Sequence, residues 1–141
     1  MLKIRPEQLV VFQPVAEIAF ARKIVELLQE KYSSVAIQLP NGITTIAQLP
    51  RELLLQMVQT GIVRARKYGF EWESTIGAFV TLMFVAAPNF DDHPLILRIL
   101  KDEKIPVHTR INELWSKTTE PNWEAVKQRY DANAWRLKLE E

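Results

Sequence analysis

The residues best suited to chemistry stand together in one short run, Asp91-Asp92-His93, which Pro94 follows. Two carboxylates beside an imidazole are able to bind a divalent metal or to carry out acid–base catalysis. The same pattern also caps a helix that begins at a proline, because a side-chain oxygen there accepts hydrogen bonds from free backbone N–H groups. Because no second histidine stands at a metal-binding spacing, we favour the helix cap.

Two other groups have a chemical and a structural interpretation. His108 stands in the first turn of a predicted helix with no serine near it in sequence, so we expect a surface or hydrogen-bonded residue rather than a base. Glu71 and Glu73 flank Trp72, and an aromatic neighbour is one way in which glycosidases keep a carboxylic acid protonated. The start of a helix at Glu73 or Ser74 explains this pattern better. A small hydrolase that uses one of these carboxylate groups remains the alternative.

Cofactor chemistry has little support in the sequence. The chain has no cysteine, which excludes disulfides, thiolate metal sites and a thiol nucleophile. Its four glycines, Gly42, Gly61, Gly69 and Gly77, form neither a P-loop nor a dinucleotide fingerprint. We therefore expect no cofactor, no metal and no catalytic residue.

The distribution of charge favours a protein partner. The 141 residues carry 18 basic and 17 acidic side chains, a net charge of +1, so no global field attracts nucleic acid. Residues 1–70 nevertheless carry +4 and residues 71–141 carry −3. Arg64, Arg66 and Lys67 form a basic spot that suits an acidic protein surface, although it equally suits the end of a helix. A weak nucleic-acid module built on these three cations is a further alternative.

Tryptophans crowd the C-terminal part of the chain at Trp115, Trp123 and Trp135. Because Trp and Arg dominate interface hot spots, Trp135 with Arg129 and Arg136 forms a candidate docking surface. Small domains also close their cores with tryptophan, so core and interface both stay open for Trp135, and the core is favoured for Trp123. The predicted partner-binding residues are therefore Arg64, Arg66, Lys67, Arg129, Trp135 and Arg136.

Apolar residues recur at helical spacing along most of the chain. The pattern predicts a single all-α domain over residues 1–141, with six or seven helices, and Pro14 separates a short first helix from a longer one. The predicted helices cover residues 6–13, 15–32, 50–68, 74–87, 94–101, 106–116 and 121–137.

The helix at 74–87 is apolar on nearly every side, which predicts a central helix surrounded by the others. Its apolar stretch of 13 residues, Thr75 to Ala87, is shorter than the roughly 20 that span a bilayer, so we expect no membrane span. Pro40-Asn41-Gly42 marks a turn, across which Val35–Leu39 and Ile43–Ile46 are able to pair as a small hairpin.

One stretch resembles a known group of proteins. Gly61-Ile62-Val63-Arg64-Ala65-Arg66-Lys67-Tyr68-Gly69, then Leu82-Met83, then Phe90-Asp91 and Pro94 are similar to small all-helical accessory proteins from bacterial type VI secretion gene neighbourhoods. The resemblance covers about a third of the chain and implies no active site. It implies a cytoplasmic protein that binds a secreted effector, a toxin or a spike component, either as an immunity protein or as a chaperone or adaptor.

Overall fold

The computed structural model describes the backbone of residues 6–137 and the side chains of residues 17–137. Within that range the chain is mostly helical, as the sequence predicts, with six α-helices and one two-stranded antiparallel sheet. The helices are α1 Pro6–Lys31, α2 Arg51–Lys67, α3 Glu73–Val85, α4 Pro94–Leu100, α5 Arg110–Lys117 and α6 Glu120–Gln128. Strands β1 Ala36–Leu39 and β2 Gly42–Thr45 stand between α1 and α2.

Helix α1 continues through Pro14, so the prediction of two helices separated at this residue is wrong. Proline removes one N–H from the hydrogen-bond ladder, but its fixed φ is itself helical, and a helix is able to continue on both sides of it. Burial favours continuation here, because the second half of α1 places an apolar face in the core. That face consists of Phe20, Ala21, Ile24, Val25 and Leu28.

The predicted hairpin is confirmed. Ala36 pairs with Thr45 and Leu39 with Gly42, which leaves Pro40 and Asn41 as a two-residue turn. Gly42 has a φ of +151°, a conformation that favours glycine. A hairpin this short is marginal alone, so it depends on the rest of the domain.

The core is built on α2, against which α1 and α3 both pack, while α1 and α3 contact each other much less. Close packing between α2 and α3 occurs at Gly61, where an added Cβ would lie 2.9 Å from Met83 Sδ and 3.0 Å from Val80 Cγ2. Seven residues of α3 are buried: Thr75, Ile76, Phe79, Val80, Leu82, Met83 and Phe84.

The C-terminal helix is shorter than predicted, because α6 ends at Gln128 and a separate 3-10 turn covers Ala132–Trp135. The side chain of Asn89 causes part of this difference. It donates to the carbonyl of Arg129 at 2.9 Å and accepts from the N–H of Asp131 at 3.0 Å. These bonds replace the helical ones and direct the following residues towards the core.

Among the described residues, every helix is too short or too polar to cross a membrane.

Two helical glycines make opposite predictions about stability. Gly61→Ala should lower the free energy of unfolding by about 1 kcal/mol, because overpacking against Val80 and Met83 outweighs the gain in helix propensity. Gly77→Ala should raise it by about 0.5–1 kcal/mol, because a Cβ at this position in α3 meets nothing within 4 Å. Urea denaturation of both variants measures the difference, and equal effects would contradict the close α2–α3 contact.

Candidate functional site

The last turn of α2 is tied to the segment that follows α3. Arg64 donates from Nη1 to the carbonyl of Pro88 and from Nη2 to Oδ1 of Asp91. Its side chain is only 15% exposed and that of Asp91 only 6%, so this is a buried ion pair. Arg64 is therefore largely unavailable to a partner, which corrects its predicted role as an open contact residue.

Tyr68, one helical turn after Arg64, completes the environment of Asp91. Its hydroxyl donates to Asp91 Oδ2 at 2.5 Å, so both carboxylate oxygens have a donor. Burial raises the pKa of the Tyr68 hydroxyl, and its hydrogen bond to the Asp91 carboxylate raises that pKa further. Asp91 thus acts as a structural acceptor, and it is not the residue of the run Asp91-Asp92-His93 that caps the helix at Pro94.

His93 caps α4 instead, since its Nδ1 accepts from the N–H of Leu95 at 3.2 Å. Because Nδ1 accepts this bond, Nε2 carries the proton in the neutral tautomer of the ring. His93 lines a cleft of about 430 Å³ with Asp92, Asn89 and Arg129. Within residues 17–137 no three acidic or histidine side chains come close enough together to hold a metal ion.

The other predicted chemical groups are not assembled either. Glu71, Trp72 and Glu73 are all exposed, so the apolar surroundings of a glycosidase acid are missing, and Glu73 begins α3 as expected. His108 is half-buried in a 3-10 turn and stacks on Trp72 with ring centroids 3.7 Å apart. Its Nδ1 is buried without a hydrogen-bond partner among the described residues, so of the two expected arrangements, surface or hydrogen-bonded, the second is not seen at this atom.

Trp135 belongs to the core. It is 0% exposed, packs against Phe84 at 4.8 Å between ring centroids, and donates from Nε1 to the carbonyl of Gln38 at 3.1 Å. Tyr130 also bonds Gln38, donating from its hydroxyl to the carbonyl and accepting from the N–H. These contacts fasten the C-terminal segment to β1, so of the two roles left open for Trp135 the structure shows the one in the core.

The remaining predicted cations lie in different places. Arg66 forms a partly exposed ion pair with Glu17, 2.6 Å between Nε and Oε1. Arg129 is exposed at the cleft beside His93. Lys67 and Arg136 are exposed at a third location, a pocket that also contains Arg64. The six predicted residues therefore do not form one surface.

This third location, which we call the charged pocket, has a volume of about 720 Å³. It lies where the ends of α2 and α4 meet the start of α5. Its basic residues are Arg64, Lys67, Lys101, Arg110 and Arg136, and its acidic residues are Asp91, Asp92 and Glu103. Sequence reasoning missed Lys101 and Arg110, because nothing in their spacing relates them to α2.

A second concave feature is apolar. The α1–α3 groove, about 510 Å³, has one wall from α1, formed by Phe20, Lys23, Ile24 and Leu27. Its other side is α3, which contributes the small residues Ser74, Gly77, Ala78 and Thr81 and, towards its end, Leu82 and Val85. Trp115 of α5 also lines it and is 57% exposed. The i, i+3, i+4, i+7 spacing of the small residues was the available signal in the sequence.

Comparisons with known proteins add no relative, since the sequence matches no protein-family model, no curated protein and no solved structure.

Removing the buried cation should strongly destabilise the fold. Arg64→Met leaves the Asp91 carboxylate buried without its counter-charge, which should lower the free energy of unfolding by about 3–5 kcal/mol. Arg66→Met is the matched control, because its ion pair with Glu17 is exposed and should contribute about 0–1 kcal/mol. Adding Asp91→Asn to Arg64→Met should recover part of the loss. Chemical denaturation measures all three, and equal effects of the two arginine variants would contradict this account.

The tyrosine hydroxyls make stability sensitive to alkaline pH. Burial raises the pKa values of both Tyr68 and Tyr130 above that of an unfolded tyrosine, about 10. Above that pH the unfolded chain releases protons that the folded protein retains, so stability is complete below pH about 10 and declines as the pH rises further. Tyr68→Phe should make this decline shallower in pH-dependent unfolding experiments. An identical alkaline slope in the variant and the parent protein would contradict it.

Proposed function

We propose that this chain is a non-enzymatic accessory protein that binds another protein by accepting an amphipathic helix of that partner in the α1–α3 groove. The observation that carries the proposal is an open apolar channel between α1 and α3. Both helices pack against α2, but they contact each other little. A partner helix placed there would be the fourth member of a bundle formed with α1, α2 and α3.

The lining of the groove suits a helix. Gly77 has no side chain, and no atom lies within 4 Å of where its Cβ would be, so a partner backbone is able to approach α3 closely. Val85 and Trp115 are 43% and 57% exposed, which is unusual for large apolar side chains that line one concavity. Binding a helix would remove both from water.

The charges beside the groove define the partner more closely. Lys23 on the α1 wall and Glu73 at the start of α3 are the two charged residues that line it. A largely apolar helix with an acidic residue facing Lys23 and a basic residue facing Glu73 is complementary to this arrangement. With such a helix in place, α3 would also be surrounded on every side, as its apolar pattern predicts.

The environment of the chemical residues supports a binding role over a hydrolytic one. Asp91 is saturated by Arg64 and Tyr68, and His93 uses Nδ1 to cap α4. Following the resemblance to type VI secretion accessory proteins, we propose that the partner is a secreted effector, toxin or spike component, bound in the cytoplasm.

Co-purification with the effector or spike protein encoded by the adjacent gene tests this function. Val85→Lys places an unpaired charge in the groove and should abolish binding, whereas Val63→Lys, on α2 outside the groove and 48% exposed, should leave it unchanged. Gly77→Leu should also abolish binding, by filling the groove, while preserving the melting temperature. Failure to bind any neighbouring gene product, or equal binding by both valine variants, would overturn the proposal.

The activity of the bound toxin separates the two accessory roles. An immunity protein abolishes the activity of its toxin, whereas a chaperone or adaptor raises the abundance or loading of the effector without blocking it. Toxicity and effector level are therefore measured together in cells that carry the parent protein or Val85→Lys.

A further inference from the structure

The charged pocket contains a buried cation without an acidic partner. Arg110 is 8% exposed, and it donates from Nε to the carbonyl of Ile105 and from Nη1 to the carbonyl of Leu100, both at 3.0 Å. Among the described residues no carboxylate lies within 4.0 Å of its guanidinium, and none of them accepts a hydrogen bond from Nη2. Carbonyl groups satisfy hydrogen bonds but do not cancel a full positive charge.

The other charged residues of the pocket add to this uncompensated positive charge. Arg64 and Asp91 neutralise each other, since they form a buried ion pair. The remaining cations are Lys67, Lys101, Arg110 and Arg136, against the carboxylates of Asp92 and Glu103, none of which forms an ion pair within the described residues. The pocket therefore carries a surplus of two positive charges, and its concave shape concentrates the resulting field.

From this geometry we infer that the charged pocket binds the phosphate group of a small phosphomonoester. A phosphate monoester is close to a dianion at neutral pH, which matches the surplus of two charges. Guanidinium groups bind phosphate oxygens in pairs, and lysine ammonium groups add point charges. The free Nη2 of Arg110 is the anchor that the protein itself leaves unused.

The rest of the pocket indicates the remainder of the ligand. Its volume of about 720 Å³ exceeds what a phosphate ion fills and lies in the range of small-molecule sites. Asp92 and Glu103 are exposed carboxylates that only accept hydrogen bonds, so they suit hydroxyl groups of the ligand. A phosphorylated sugar or polyol satisfies both requirements. This site is independent of the α1–α3 groove, and neither proposal depends on the other.

Titration with glucose 6-phosphate, followed by backbone amide chemical shifts at constant ionic strength, tests the inference. We expect saturable shifts around the pocket and tighter binding than with inorganic phosphate. Lys101→Met and Arg136→Met should each weaken binding by about tenfold or more, the effect of losing one charge-assisted hydrogen bond. Lys127→Met, which removes an exposed cation of α6 outside the pocket, should leave the affinity unchanged.

The anchoring role of Arg110 requires a gentler substitution, because its bonds to Ile105 and Leu100 also hold the fold. Arg110→Lys retains the charge but loses the forked donors, and should weaken the binding of both glucose 6-phosphate and inorganic phosphate. If this variant does not fold, Lys101→Met and Arg136→Met decide the question. No saturable shifts, or equal affinity in the pocket variants and in Lys127→Met, would overturn the inference. Tighter binding of inorganic phosphate than of glucose 6-phosphate would overturn the assigned sugar or polyol part.

Discussion

The ion pair between Arg64 and Asp91 is the contact on which the second half of the fold depends. Asp91 is 27 residues from Arg64 in sequence, and its carboxylate is buried only because Arg64 and Tyr68 supply donors to both oxygens. Arg64 also holds the carbonyl of Pro88, so it fixes both ends of the turn that leaves α3. Within that turn Phe90 is fully buried against Phe79, at 4.9 Å between ring centroids. The start of α4 at Pro94 follows directly from this anchored segment.

The same ion pair adds nothing to the net charge of the charged pocket. Arg64 and Asp91 cancel each other, so the surplus of two positive charges comes from Lys67, Lys101, Arg110 and Arg136 against Asp92 and Glu103. Arg64 therefore serves the fold, whereas the cations without an ion pair among the described residues are the ones available to the phosphate group that we infer.

Local patterns in the sequence were sufficient to locate most helices and the hairpin. They were insufficient to show which distant residues contact one another in the fold. Helical periodicity located the helices to within a few residues, except for the division of α1 at Pro14 and the end of α6, and Pro40-Asn41-Gly42 correctly indicated the hairpin. The end of α6 depends on Asn89, about 40 residues earlier, and the burial of Trp135 depends on Gln38, 97 residues earlier. Such pairs leave no local pattern, so a tryptophan beside two arginines was as consistent with an interface as with the core. The sequence did not identify the residue that caps α4 for a related reason. Asp91 and His93 are both able to accept hydrogen bonds, and tertiary contacts decided which of them caps the helix.

When a helix is apolar on every side, its sequence does not show what covers each side, as α3 illustrates. The face near Gly61 is apolar because α2 packs against it closely, with Val80 and Met83 touching the glycine position. The face at Gly77 and Val85 is apolar as well, yet among the described residues only α1, Tyr32 and Trp115 border it, and the space above Gly77 is open. Hydrophobic burial favours filling such a face, and the described residues do not fill it. The described residues leave α3 partly uncovered, although the sequence marks it as central, and the partner helix that we propose would be its last neighbour.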